Sequence, residues 1–345
     1  MSRVEQQSAQ RNGLVANMER PTRPAAPSDP PLATWALSDG RAGNVRQVEA
    51  LAHALGIGPT RSRTLQPRLP WRAWAPLRWP GSEHAFGPDF AAALAMPPTL
   101  AIGCGRQAAL ATRLLRARGA KAVQILDPRV DPGHWDLVIA PQHDRLRGTN
   151  VLTTLGSLHP VDDLWLAQAR ADFAAFAALP RPRTAVLLGG SSGHVRFDRM
   201  AFEVMATKLE AALVRDGGSV LLTTSRRTSR ELRGVLRHRY VETPGLTWLD
   251  PQDGDNPYPG LLAWADRIVC SPDSVNMISE ACATDVPVHV FDPGRARGRL
   301  RMFLDSLLAS GRIRALDGSL ASFEVEPLRE TARIAVEVRE RLGMV

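Results

Sequence analysis

From Leu32 onward, short apolar runs alternate with longer stretches whose apolar residues recur at helical spacing. The first run, Leu32 to Leu37, leads into the polar stretch Ser38-Asp39-Gly40-Arg41-Ala42-Gly43-Asn44. A helix is predicted next, from Val45 to Leu55, with Val48, Leu51, Ala52 and Leu55 on one face. Further strands are predicted at Thr99 to Ile102, Ala122 to Leu126, Leu137 to Ala140 and Val151 to Thr154, with a helix from Arg106 to Arg118 between the first two. Runs that are apolar on both faces and separated by helices specify a parallel sheet covered on both sides.

The pattern then repeats. An Ala-rich helix is predicted from Asp162 to Leu179, and Pro180-Arg181-Pro182 ends it, which makes it the expected connector between halves. The second series holds strands at Val186 to Leu188, Ser219 to Thr223, Leu246 to Leu249, Ile268 to Cys270 and Val288 to Phe291. Its helices are predicted at Met200 to Arg215, Ser229 to His238 and Asp273 to Ala283, and a final helix at about Pro327 to Leu342. The chain thus divides into a tail (1–31), a first α/β half (32–160), a linker helix (161–182), a second half (183–311) and a C-terminal segment with its helix (312–345). Two Rossmann-like halves in tandem leave a central cleft, where the carboxyl ends of both sheets face each other.

Length agrees with that division, since 345 residues suit two cores better than one. The tail is rich in Pro, Arg, Ser and Gln and reads as disordered; it lacks the apolar centre of a signal peptide and carries Glu5, Glu19 and Asp29, unlike a transit peptide. No apolar run is long enough to span a membrane. A cytoplasmic protein is expected. The net charge of +8 suits a phosphate-rich partner, but it comes almost wholly from arginine, with lysine only at Lys121 and Lys208. No extended basic stripe interleaved with aromatics is present, so nucleic acid is not an expected partner. Cys104, Cys270 and Cys282 are scattered among small apolar residues, as in a reducing compartment, and no residues have metal-ligand spacing.

The sharpest chemical signal follows the strand that ends at Cys270. In Ser271-Pro272-Asp273-Ser274-Val275-Asn276-Met277-Ile278-Ser279-Glu280-Ala281, Ser271 suits an N-cap and Pro272 the first helical position. Free N–H groups of that helix would then face the cleft, where a diphosphate docks naturally. Spacing puts Asp273, Met277 and Glu280 on one face and Val275, Ile278 and Cys282 on the buried one. Ser274 and Glu280 are therefore candidate ligand contacts, the carboxylate for ribose hydroxyls; as structural residues they would be a first-turn cap and a solvated acid.

Gly189, Gly190 and Ser191 open the second half with a strand running into a glycine-rich loop, which allows close approach of backbone to phosphate. Thr224, Ser225, Arg226 and Arg227 end the next strand; arginine forks suit a diphosphate leaving group, although the same residues also make a solvated basic turn. In the first half, Asp39 is equally placed to take a proton from an acceptor hydroxyl or to cap the helix after it. His143, beside Asp144 and Arg145 at a strand end, has the titration range of a base, or belongs to a plain turn. The loop at Asp39 lacks Gly-x-Gly-x-x-Gly, so no nicotinamide cofactor is expected. Trp71, Trp74 and Trp79, with Arg72 and Arg78 between them, favour a membrane interface or a lipid-linked acceptor, or else the tryptophans simply pack on the first half.

Taken in order, these motifs resemble the mitochondrial-fission (elongated-mitochondria) protein family and its bacterial glycosyltransferase-like relatives. The resemblance rests on Trp35 to Asn44, Pro141 to Gly148, Leu188-Gly189-Gly190, Thr224 to Thr228, Asn256-Pro257-Tyr258 and Asp273 to Ala281. Relatives often carry His where this chain has Asn44. The second half is also similar to the peptidoglycan N-acetylglucosaminyltransferase. These resemblances imply a glycosyltransferase-B fold with an acceptor-binding first half and a second half that holds a nucleotide-sugar donor without a metal or other cofactor. Asn256 joins the donor contacts on that ground. The implied activity is sugar transfer to a cell-envelope or lipid-linked acceptor, by an enzyme in the cytoplasm or on the inner membrane surface. Two alternatives share the donor site: a nucleotide-sugar 2-epimerase, and a non-enzymatic nucleotide-binding adaptor.

Overall fold

The computed structural model describes residues 33–344. The expectation of a disordered tail falls outside them. In the first lobe, β1 (Thr34–Ser38) is followed by α1 (Ala42–Leu55), β2 (Thr60–Thr64), α2 (Trp71–Trp74), α3 (Pro88–Ala93), β3 (Leu100–Cys104) and α4 (Arg106–Arg116). β4 (Lys121–Ile125), β5 (Leu137–Pro141) and β6 (Val151–Thr154) complete it. All six strands pair parallel, in the order β2-β1-β3-β4-β5-β6. Every residue of β1, β3 and β5 is buried, which is why these strands read as unbroken apolar runs. β2 is the reverse: Thr-Arg-Ser-Arg-Thr at a sheet edge, with no apolar signal to announce it.

A helix α5 (Asp163–Asp172) leads into the second lobe: β7 (Arg183–Leu188), α6 (Arg199–Asp216), β8 (Ser219–Thr224), α7 (Arg230–Arg239), β9 (Gly245–Trp248), α8 (Tyr258–Trp264) and β10 (Arg267–Cys270). Then come α9 (Val275–Cys282), β11 (Val288–Val290), α10 (Gly298–Ala309) and β12 (Ile313–Ala315). These strands form a second six-stranded parallel sheet, ordered β12-β11-β10-β7-β8-β9. The expected continuous helix from Asp162 to Leu179 is interrupted. Phe173 leaves helical geometry after α5, and Ala174–Ala178 form a 3-10 turn. The second sheet reaches past residue 312 to include β12, and the last helix, α11 (Thr331–Leu342), returns to the first lobe. There its buried Ile334, Ala335 and Val338 share a core with Val48, Leu51 and Leu55 of α1.

Candidate functional site

Parallel strands present their carboxyl ends at one edge of each sheet, so the loops after β1, β5, β7, β8, β9 and β10 carry the candidate residues. Three of those loops form one knot in the second lobe. After β10, Ser271 Oγ donates to Asp273 Oδ1 at 2.6 Å and accepts from the Gly189 N–H at 2.8 Å. The Gly190 N–H donates to Asp273 Oδ2 at 3.0 Å, and Arg227 Nη2 lies 2.6 Å from the same oxygen. Thr228 Oγ1 donates to the Gly189 carbonyl at 2.6 Å. The Asp273 side chain is 0% exposed, whereas that of Arg227 is 48% exposed.

This knot explains the glycines. A Cβ on Gly189 would fall 2.1 Å from the Asp273 carboxylate, and one on Gly190 would fall 2.1 Å from the Arg227 carbonyl oxygen. Close approach is therefore real, but the group approached is protein. Sequence reading missed Asp273 as a site residue, placing it only on the open face with Met277 and Glu280. It also placed the helix start too early: the N-cap of α9 is Ser274, whose Oγ accepts from the Met277 N–H at 3.4 Å, not Ser271. Ser271 and Asp273 are instead drawn down onto the glycine loop, which postpones the first helical turn.

The other donor-side candidates split. Ser191 Oγ accepts from the Phe197 N–H at 3.0 Å, and Thr224 Oγ1 donates to the Leu249 carbonyl at 2.5 Å, so both secure their loops. Ser225 Oγ accepts from the Arg227 N–H at 3.1 Å and shapes the turn that presents Arg227. Arg226 is exposed beside it. Asn256 is exposed, and its Oδ1 accepts from the Tyr258 N–H at 3.1 Å at the start of α8.

Glu280 corrects the expectation of an open, ligand-facing acid. Its side chain is only 3% exposed, and Arg46 Nη1 of α1 donates to its Oε2 at 2.7 Å. Arg46 also lies over the Tyr258 ring, 5.3 Å from the centroid. Burial first, and then the Glu280 charge, raise the Tyr258 phenol well above its ordinary range. Beside this ion pair, a Cβ on Gly43 would fall 1.8 Å from Asn276 Nδ2. The amino ends of α1 and α9 therefore meet, one from each lobe. The Ser157 N–H adds a bond to Ser279 Oγ at 3.0 Å.

On the first-lobe side, Asp39 Oδ1 accepts from Asn44 Nδ2 at 2.9 Å and from the Arg41 N–H at 3.1 Å. Arg41 is itself the N-cap residue and α1 has no side-chain cap, so Asp39 is not the cap that was one of its two readings. His143 packs its ring on Phe303 of α10, 5.7 Å between centroids, and its buried Nδ1 has no hydrogen-bond partner. Burial lowers its pKa, Asp144 opposes that, and Arg299 adds to it. Asp144 itself is committed to Arg299 of α10 at 2.7 Å. Arg46 and Arg299 gave no signal in sequence, and Asn276 lay in the marked segment without a role, because each acquires its meaning only from a partner far along the chain.

The family profile described as mitochondrial fission ELM1 matches residues 42–342. The chain belongs to that family. It is 30% identical over 276 residues to the mitochondrial fission protein ELM1 of Arabidopsis thaliana, a match covering 71% of this chain and 64% of the plant protein. The chain thus spans less than two thirds of that relative's length. An uncharacterized protein of Rickettsia prowazekii is 25% identical over 349 residues, covering 87% of this chain and 96% of its own. Among solved structures, the UDP-GlcNAc 2-epimerase of Methanocaldococcus jannaschii matches with a TM-score of 0.54 at 11% identity, over 91% of this chain and 99% of that one. The UDP-N-acetylglucosamine 2-epimerase of Rickettsia bellii matches with a TM-score of 0.55 at 11% identity, over 91% and 96%. At such identities the likeness concerns the fold, which is of the glycosyltransferase-B type, an α/β arrangement of two Rossmann-like halves.

Proposed function

We propose that this family member is a metal-independent glycosyltransferase that takes a sugar from a nucleoside diphosphate donor held by the second lobe. The supporting observation is Arg227, a half-exposed guanidinium anchored by a fully buried carboxylate at the carboxyl edge of the second sheet. One Nη group is held by Asp273, and the fork's remaining N–H donors are left for the leaving diphosphate. Charge grows on that diphosphate as its bond to the anomeric carbon breaks, and a preoriented donor there is worth about 3–4 kcal/mol of barrier. Ser274, at the amino end of α9, and the Gly190-Ser191 loop flank the same position.

In this reading Asp39 is the base. The Arg41 N–H and Asn44 hold its Oδ1, and its Oδ2, which also lies 3.5 Å from Arg41 Nε, takes the acceptor's hydroxyl proton. His143, packed on Phe303, takes a structural place. Glu280 acts through Arg46, joining the lobes around the donor, rather than on ribose directly. The acceptor is a hydroxyl of a cell-envelope or lipid-linked glycan.

Incubation with a panel of nucleoside diphosphate sugars tests this. A transferase consumes donor only with acceptor, and Arg227→Ala lowers that turnover by about 100-fold or more. New sugar isomers formed without acceptor would make it an epimerase, and selective binding with no turnover would make it an adaptor. Turnover that ignores both Arg227→Ala and Asp39→Asn would defeat the proposal.

A further inference from the structure

Between Ala50 and Ser82 the chain contains Arg61, Arg63, Arg68, Arg72 and Arg78 and not one acidic residue. The same stretch holds Leu69, Trp74, Leu77 and Trp79, which are 75%, 45%, 47% and 48% exposed. These are four of the eleven exposed large hydrophobic side chains among the described residues, gathered within one short segment of the first lobe. Singly such residues need no explanation; grouped, they mark an interaction surface.

The segment is built to present them. α2 begins just after Pro70, and the Leu77 N–H donates to the Trp74 carbonyl at 2.9 Å, turning the chain back. That brings the Trp74 and Trp79 rings to 5.1 Å between centroids, tilted by 37°. Trp71 packs inward on the core of Trp35, Leu37 and Leu65, which anchors the turn. Arginines of α4 hold it from below: Arg113 Nη1 donates to the Pro76 carbonyl at 2.6 Å, and Arg106 Nη2 to that of Arg72 at 3.4 Å. Arg68, Arg72 and Arg78 remain exposed around the apolar tip. The nearest following carboxylates are Glu83 and Asp89.

We propose that the segment from Arg68 to Trp79 docks the first lobe on an anionic lipid bilayer, with the tryptophans and leucines in the headgroup region and the arginines on lipid phosphates. Charge complementarity selects this occupant. A second copy of the chain would bring the same uncompensated arginines face to face, whereas an anionic bilayer neutralises them and has an apolar layer beneath. Tryptophan suits that boundary because its ring is apolar and its N–H polar. No helix among the described residues is long and apolar enough to cross a membrane, so the contact is peripheral. It does not depend on the sugar chemistry proposed above.

Cosedimentation of the full chain with phosphatidylcholine vesicles, with and without phosphatidylglycerol, tests this. The chain should pellet with the anionic vesicles only and be released by high salt. W74S/W79S and R72Q/R78Q should each weaken binding by about tenfold or more, while thermal unfolding stays as in the parent. Absent pelleting, or equal pelleting of parent and both variants, overturns the proposal. So does a dimer in equilibrium sedimentation that W74S/W79S abolishes without any vesicle binding.

Discussion

Arg227 and Asp273, forty-six residues apart, meet at 2.6 Å across the loop that carries Gly189 and Gly190. The carboxylate has three partners, the Arg227 guanidinium, the Gly190 N–H and the Ser271 hydroxyl. The guanidinium is half exposed on its other side. The two members of the pair are therefore unequal, and their removal should have unequal effects.

Asp273→Ala strands two buried donors, the Gly190 N–H and the Ser271 hydroxyl, unpairs the half-exposed Arg227, and should cost about 2–4 kcal/mol of stability. Arg227→Ala leaves the buried Asp273 carboxylate with two neutral donors and no counter-charge, but the lost guanidinium is half exposed, so a smaller loss of about 1–2 kcal/mol is expected. Urea unfolding of the two variants checks the order. Should Arg227→Ala prove the more damaging, the arginine is a structural strut and not a free donor to a ligand.

Gly190 should not tolerate a methyl group. Its Cβ would lie 2.1 Å from a backbone carbonyl of the Arg227 turn, which cannot swing aside as a side chain can. Gly190→Ala should cost about 1–3 kcal/mol and carry Arg227 out of place. Gly193 is the internal control. A Cβ there meets nothing within 4 Å, so Gly193→Ala should change stability by no more than about 0.5 kcal/mol.

Stability should fall as the pH drops below about 6.5. His289 of β11 is buried with neither ring nitrogen paired, and burial pulls its pKa down to about 4. The folded chain holds this ring neutral while the unfolded chain protonates it near pH 6.5, so the unfolded state binds more protons within that window. The stabilisation is complete above about pH 6.5 and is lost progressively down to about pH 4. Its size is about 2–3 kcal/mol. His143, whose pKa is also lowered, adds to the loss in the same direction. His289→Gln should flatten this part of the profile, read by urea unfolding at a series of pH values. An unchanged slope would remove His289 as the cause.

The legible and illegible parts of this molecule divide along one physical line. β1, β3, β7 and β8 are buried along their whole length, so each carries an apolar stretch, Trp35–Leu37, Leu100–Ile102, Ala185–Leu188 and Val220–Leu222, that announces it. β2 is an exposed edge and β12 is three residues long, Ile-Arg-Ala; neither has a pattern that separates it from a loop. The site shows the same division. Glycine loops and helix starts follow local rules, and the Ser271–Glu280 segment was identifiable from them. Whether Glu280 faces a ligand or Arg46 depends on a helix 234 residues away in sequence. Local spacing placed Glu280 on the open side of α9. The other lobe covers that side.

Contact between the lobes yields the last expectation. Gly43 lies in the first turn of α1, where replacing glycine by alanine ordinarily strengthens a helix by up to about 1 kcal/mol. Here the added Cβ would fall 1.8 Å from Asn276 Nδ2 in the first turn of α9, next to the Arg46–Glu280 ion pair. Gly43→Ala should therefore reverse sign and destabilise, since the lobes must separate or Asn276 must leave its place. Shortening the obstacle in Gly43→Ala/Asn276→Ala should recover most of the loss, a non-additivity of the kind residues in contact show. Urea unfolding of both singles and the double measures the coupling, and small-angle scattering reads any opening of the lobes. If Gly43→Ala alone raises stability, helix propensity outweighs the contact, and α1 and α9 are not held together at their amino ends.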